Sequence, residues 1–141
     1  MSNDAAFEAV TALMGAYARA TRTADAKLGG LHGLSLSELE LLLAINNQEA
    51  QGARPADLAR ALHMTASGVT RALLPLEKRG IVKREPDKTD ARASRVRLTV
   101  SGDELANRAA ASANEAAARA LRRLSLGQTR QLIRLLEEIG E

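Results

Sequence analysis

Hydrophobic positions recur at three- and four-residue steps from the start of the chain. Phe7, Val10, Met14, Tyr17, Thr21, Ala24 and Leu28 form one stripe, with Leu13 and Ala20 beside it. This spacing predicts an amphipathic helix over 5–28, stopped by Gly29-Gly30 because glycine tolerates the left-handed cap. Ser35 and Glu38 have capping-box spacing ahead of Leu39, Leu41, Leu42, Leu43 and Ile45, so a second helix follows, apolar on most sides and therefore buried. Residues 46–52 are polar and read as a loop. Pro55 suits the first turn of a third helix, which carries Leu58, Ala59 and Leu62 on one face. Thr65 caps a fourth, with Val69, Leu73 and Leu76 as its inward stripe and an end near Gly80. Pro75 removes that helix's hydrogen bond to the Arg71 carbonyl, which predicts a bend or an early end.

Beyond Gly80 the period falls to two. Residues 81–85 read as a short strand paired with 94–99, where Val96 and Leu98 face one way and Arg95 and Arg97 the other. The intervening 86–93 is a polar hairpin tip, too charged to be core. Ser101 with Glu104 matches a capping box and opens an alanine-rich helix lined by Leu105, Ala109, Ala113, Ala116, Ala120 and Leu124. Ser125 with Gln128 opens the last helix, bearing Leu132, Ile133, Leu135, Leu136 and Ile139. The order is α-α-α-α-β-β-α-α, a mainly α (α+β) chain.

Two short helices joined by a tight turn at His63-Met64-Thr65, then a two-stranded hairpin, make a winged helix-turn-helix. A helix about 10–12 Å across fits the major groove of B-DNA. The hairpin that follows can lay basic side chains along phosphates or in the adjacent minor groove. Ala59 is small enough to let the two helices cross closely near Val69. Thr65, Ser67, Thr70 and Arg71 are placed to reach base edges, and Arg71 to pair with guanine. On the hairpin, Arg92 and Arg95 are candidate DNA contacts, and Lys88 a nonspecific phosphate contact. Lys83 and Arg84 precede the wing, placed for one of them to pair with Asp90 or Asp87.

Charge sharpens this picture. Between Arg54 and Arg97 eleven basic residues face five acids, an excess of six on a chain whose net charge is +3, so the remainder sums to −3. A basic segment on a near-neutral chain is the footprint of nucleic-acid binding. Phe7 and Tyr17 are the only aromatics among 141 residues, which excludes recognition by base stacking. The absence of cysteine excludes disulfides, thiolate zinc sites and thiol redox switches. His32 and His63 are the only histidines, and no nucleophile–base pair, phosphate loop or ligand cluster accompanies them. The reading is therefore no enzyme, no metal and no cofactor. With no run of about 18 apolar residues and no signal-peptide order at the N-terminus, a cytoplasmic protein is expected.

The stretch RPADLARALHMTASGVTRALLPLEKRGIVKREPDKTDARASRVRLTVSGDELA resembles the winged-helix core of MarR-type transcriptional regulators. Its most specific elements are Leu76-Glu77-Lys78-Arg79-Gly80-Ile81-Val82 and Asp90-Ala91-Arg92, followed by Val96-Arg97-Leu98-Thr99 and Gly102. The family's wing carries two Asp-x-Arg steps, whereas the first reads Asp87-Lys88-Thr89 here, with Thr89 in place of arginine. The resemblance implies a homodimeric repressor or activator on a palindromic operator. It implies that Arg92 enters the minor groove, that Asp90 helps hold the wing arginine, and that a small phenolic or aromatic effector releases the DNA. Residues 1–34 and 101–141 are then the dimerisation helices and 35–100 the DNA-binding region. The long apolar faces of the first and last helices favour that dimer independently. Two other functions compete: a nonspecific architectural DNA binder, which the low net charge disfavours, and a winged helix used as a protein-interaction module, which the lack of aromatic anchors disfavours.

Overall fold

The structure, a computed structural model, describes residues 3–48 and 51–140. The elements run α1 (Asn3–His32), α2 (Leu36–Asn46), α3 (Pro55–Ala61), α4 (Ala66–Lys78), β1 (Val82–Pro86), β2 (Ser94–Leu98), α5 (Val100–Ala120) and α6 (Leu126–Glu137). The expected order is reproduced, with local departures. The loop expected over 46–52 is described only at its ends, residues 49 and 50 lying outside the described residues.

Gly29 and Gly30 do not stop α1. The helix continues through both and ends at Gly33, whose φ of +64° is the left-handed conformation a C-cap requires. Burial of Leu28 and the bond from the Leu34 N–H to the Leu28 carbonyl hold this last turn against the cost of two interior glycines. Pro75 does not end α4 either; the helix runs three residues further to Lys78, with the Arg79 N–H bonded to the Pro75 carbonyl at 3.1 Å.

The capping box on α2 forms as its spacing predicts. Ser35 Oγ accepts from the Glu38 N–H at 3.0 Å, and Glu38 accepts from the Ser35 N–H at 2.9 Å. Ser125 and Gln128 do the same for α6. The box expected at Ser101 and Glu104 is replaced by a cap two residues earlier, where Thr99 Oγ1 accepts from the Gly102 N–H at 3.0 Å. Val100 is thereby already helical, and α5 starts directly off the end of β2.

β1 and β2 pair antiparallel, with Arg84 opposite Val96 and Val82 opposite Leu98. A third piece joins the ladder: Ala53, just before α3, exchanges both backbone hydrogen bonds with Val96 at 2.8 Å. The wing is thus tied to the entrance of the helix-turn-helix. The core gathers Leu39, Leu42, Leu58, Leu73, Leu76 and Val96 around the C-terminal end of α1, at Leu28, and the small side of α5, at Ala106 and Ala109. Alanine on α5 lets α1 lie close against it. Lys27 pairs with Glu115 across this contact, and His32 Nε2 lies 2.9 Å from Ser112 Oγ.

The rest of α1 has no such cover. Phe7, Met14 and Tyr17 are 75%, 67% and 66% exposed, and no residue of α6 is buried although Ile133, Leu135, Leu136 and Ile139 all lie on it or at its end.

Candidate nucleic-acid interface

The turn between α3 and α4 is set by His63, whose φ of +52° is unusual for a residue with a side chain. The Met64 N–H bonds the Ala59 carbonyl at 2.9 Å and closes the turn. Ala59 and Val69 are both buried where the helices meet, consistent with the small residue at the crossing. Thr65 caps α4: its Oγ1 accepts from the Gly68 N–H at 3.0 Å and lies 3.3 Å from Ser67 Oγ. Thr70 Oγ1 donates back to the Ala66 carbonyl at 3.1 Å. Thr65, Ser67, Thr70 and Arg71 are all exposed at this end of α4, so the four residues share one accessible surface.

On the wing, Asp90 Oδ1 accepts from the backbone N–H of Arg92 at 3.0 Å, and the Ala93 N–H donates to the Asp90 carbonyl at 3.1 Å. Asp90 therefore shapes the tip through the backbone around Arg92. Lys88 and Arg92 stand exposed on that tip.

Two charged residues sit differently from expectation. Arg84 does not pair with Asp90 or Asp87; its Nε meets the Glu77 carboxylate, because β1 leaves α4 directly and brings residue 84 back alongside its last turn. That pair orients the wing from its base. Lys83 pairs with Glu85, which also receives Arg97 Nε at 3.0 Å. The Glu85 carboxyl is raised by burial but lowered further by hydrogen bonds from Lys83 and Arg97, and lies below its ordinary value.

Asp87, expected on a solvated tip, is buried with its side chain 1% exposed. Its Oδ1 accepts from the Thr89 N–H at 2.9 Å and the Thr89 hydroxyl at 2.8 Å, an Asx turn. Its Oδ2 receives Arg54 Nε at 3.1 Å and Arg95 Nε at 2.9 Å. Arg95 Nη1 also donates to the Gly52 carbonyl at 3.0 Å, so this arginine faces into the wing's foundation. The backbone and then the side chain of Thr89, followed by the two guanidiniums, hold the Asp87 carboxyl well below the usual carboxylate range. Thr89, standing where the family pattern has arginine, is therefore an integral part of the wing.

Pairing sorts the eleven basic residues between Arg54 and Arg97. Arg54, Arg60, Lys83, Arg84, Arg95 and Arg97 meet carboxylates, and Arg79 donates to the carbonyls of Gly33 at 2.8 Å and His32 at 3.4 Å. Arg71, Lys78, Lys88 and Arg92 are left without a side-chain partner among the described residues; two project from α4 and two from the wing tip. Sequence reasoning missed the roles of Arg54 and Arg79, and gave Asp87 the wrong partners. The Asp87-x-Thr89 spacing carried a turn signal, but Arg54 and Arg79 act over 33 and at least 46 residues, and pairing at that range leaves no local pattern.

A cap-positioned helix with free cations, braced by a second helix and flanked by a basic hairpin, defines a winged helix-turn-helix protein. Comparison with known proteins places it further. Residues 32–93 match the MarR family profile. The HTH-type transcriptional repressor Rv2887 of Mycobacterium tuberculosis is 35% identical over 108 residues, 77% of this chain and 76% of the relative. The solved structure of Rv2887 in complex with DNA superposes with a TM-score of 0.72 at 32% identity, covering 93% of this chain and 96% of that one. Sco3205, a MarR family transcriptional regulator from Streptomyces coelicolor solved in complex with DNA, superposes with a TM-score of 0.87 at 24% identity, covering 97% and 86%, and shares the fold. The chain belongs to the MarR family of transcriptional regulators.

Proposed function

We propose that this protein is a sequence-specific DNA-binding transcriptional regulator, a repressor, that acts in the cytoplasm as a homodimer on a palindromic operator and carries out no catalysis. The observation that carries the reading is where the cations left free within residues 54–97 stand. Arg71 and Lys78 lie on the helix suited to the major groove, and Lys88 and Arg92 on the hairpin suited to the backbone and minor groove. Thr65, Ser67, Thr70 and Arg71 read base edges in this account, Arg92 enters the narrow groove, and Lys88 meets phosphate. The structure of Rv2887 in complex with DNA, 32% identical, supports DNA binding by this fold.

Residues 1–34 and 101–141 form the dimer interface and 35–100 the DNA-binding region. The uncovered faces of α1 and α6 support this division, since exposed apolar surface of that extent marks an interaction site. Release by a small aromatic or phenolic effector belongs to the same reading. A cleft of about 450 Å³ between the end of α2, β2 and the start of α5, bordered by Ile45, Arg97, Leu98 and Val100, has room for a ligand of that size.

The test is a pair of variants on a selected operator and a scrambled duplex. Arg71→Ala is expected to cost about 1–3 kcal/mol on the operator and to relax base preference, whereas Arg92→Ala weakens binding more evenly across sequences. Equal affinity of the wild-type protein for both duplexes overturns sequence-specific regulation.

A further inference from the structure

Between the groove-reading helix and the wing lies the Asp87 cluster, which base reading does not use. Arg54 immediately precedes α3, next to Ala53, whose backbone is bridged to β2. One carboxylate there serves two guanidiniums. Arg54 contributes Nε at 3.1 Å and Nη2 at 3.0 Å, Arg95 contributes Nε at 2.9 Å, and all three meet the same oxygen, Oδ2. The other oxygen is occupied by Thr89. The cluster keeps one net positive charge, and the two arginines differ in access. The Arg95 side chain is 21% exposed and also bonded to Gly52, whereas the Arg54 side chain is 44% exposed and its Nη1 has no partner among the described residues.

We propose that Asp87 is a positioning residue of the DNA-binding surface: it locks Arg54 and Arg95 into one assembly that fixes the wing on the helix-turn-helix and presents Arg54 to a backbone phosphate between the two grooves. The proposal rests on the DNA-binding reading above. A guanidinium held from one side by a carboxylate keeps its remaining N–H groups in a fixed plane, the preorganisation that phosphate recognition by arginine requires. Arg54 stands at the junction of α3 and the wing, which a DNA strand crosses in passing from the helix to the hairpin. Arg95, expected to touch DNA, instead acts from behind through Asp87.

The two effects of Asp87 have opposite signs, which makes the proposal testable. Asp87→Asn adds one positive charge per protomer, so charge alone strengthens binding to a polyanion. Lost positioning weakens it. Wild type, Asp87→Asn, Arg54→Ala and Arg54→Lys are titrated against the selected operator and a scrambled duplex across a range of salt, with elution volume and thermal unfolding as fold controls.

Arg54→Ala is expected to weaken binding to both duplexes by about tenfold and to flatten the salt slope by about two per dimer, one phosphate on each half-site. Arg54→Lys is expected to restore the slope, because it keeps the charge. Asp87→Asn is expected to weaken operator binding by about tenfold despite its added charge, and to reduce the affinity cost of a further Arg54→Ala change. Tighter or unchanged binding by Asp87→Asn, or an unchanged slope in Arg54→Ala, overturns the proposal. If Asp87→Asn fails the fold controls, the slopes of Arg54→Ala and Arg54→Lys decide it. A wild-type protein that binds neither duplex overturns the DNA-binding reading itself, and this outcome is separable from the others because it needs no variant.

Discussion

The carbonyl oxygen of Ile81 occupies the space that any side chain on Gly102 would need: a Cβ built on Gly102 lies 2.0 Å from it. Ile81 opens the wing and Gly102 sits in the first turn of α5, so this contact seats the wing directly on the long helix. The same carbonyl accepts from the Thr99 N–H at 3.0 Å, and Thr99 Oγ1 reaches it at 3.2 Å and the Gly80 carbonyl beside it at 2.6 Å. Backbone cannot retreat as a flexible side chain does. Gly102→Ala is therefore expected to destabilise the protein by about 3 kcal/mol, in the range of severe overpacking, as read from urea unfolding midpoints. An effect below about 0.5 kcal/mol means that the joint yields.

Pro75 gives the opposite expectation. It stands exposed inside α4 and leaves the Arg71 carbonyl without its helical donor. Pro75→Ala restores that bond, and the gain exceeds the roughly 0.4–1 kcal/mol that proline contributes by restricting the unfolded chain. A net stabilisation of about 1–2 kcal/mol is expected from the same unfolding measurement. A loss of stability shows that the proline is accommodated without strain.

Asp87 makes wing stability depend on acid. Its folded pKa is depressed below its unfolded value, first by the Thr89 backbone N–H and then by the Thr89 hydroxyl and the two arginines. The group therefore contributes stability that is fully present above the unfolded value of about 4 and is lost as pH falls through the lower, folded one. Asp87→Asn is expected to be less stable than wild type at pH 7, and the gap between them to narrow as pH falls below about 4. A gap that stays constant down to pH 2 shows that the carboxylate charge is not what the wing uses.

The proposed dimer rests on the exposed apolar faces of α1 and α6. Val10 is 54% exposed and Leu136 40% in the single chain, yet both belong to regular helical stripes. Val10→Asp or Leu136→Asp is expected to convert a dimer to monomers in sedimentation equilibrium, and to weaken operator binding by orders of magnitude through loss of the second half-site. Monomeric wild-type protein at micromolar concentration overturns the dimer.

Periodicity carried most of the fold because its elements are set locally. The α4 stripe, the Ser35 and Ser125 boxes, the Thr65 cap and the Val96–Leu98 alternation each need only neighbours within four residues. Departures came where a distant partner decided. Gly29 and Gly30 stayed helical because the core holds Leu28. The α5 cap moved from Ser101 to Thr99 because Thr99 also bonds the Gly80 and Ile81 carbonyls at the base of the wing. The candidate contacts on α4 were legible as a capped helix with a short polar face. The wing's supports were not: composition counts Arg54, Arg84 and Arg95 as free charge, and only the folded chain shows Asp87 and Glu77 holding them.

Selection of bound duplexes from a random library at about 150 mM salt tests the central claim most directly. Two-fold docking of one winged helix per half-site predicts an enriched palindrome with half-sites about one helical turn apart. A bound pool with no enriched sequence contradicts it.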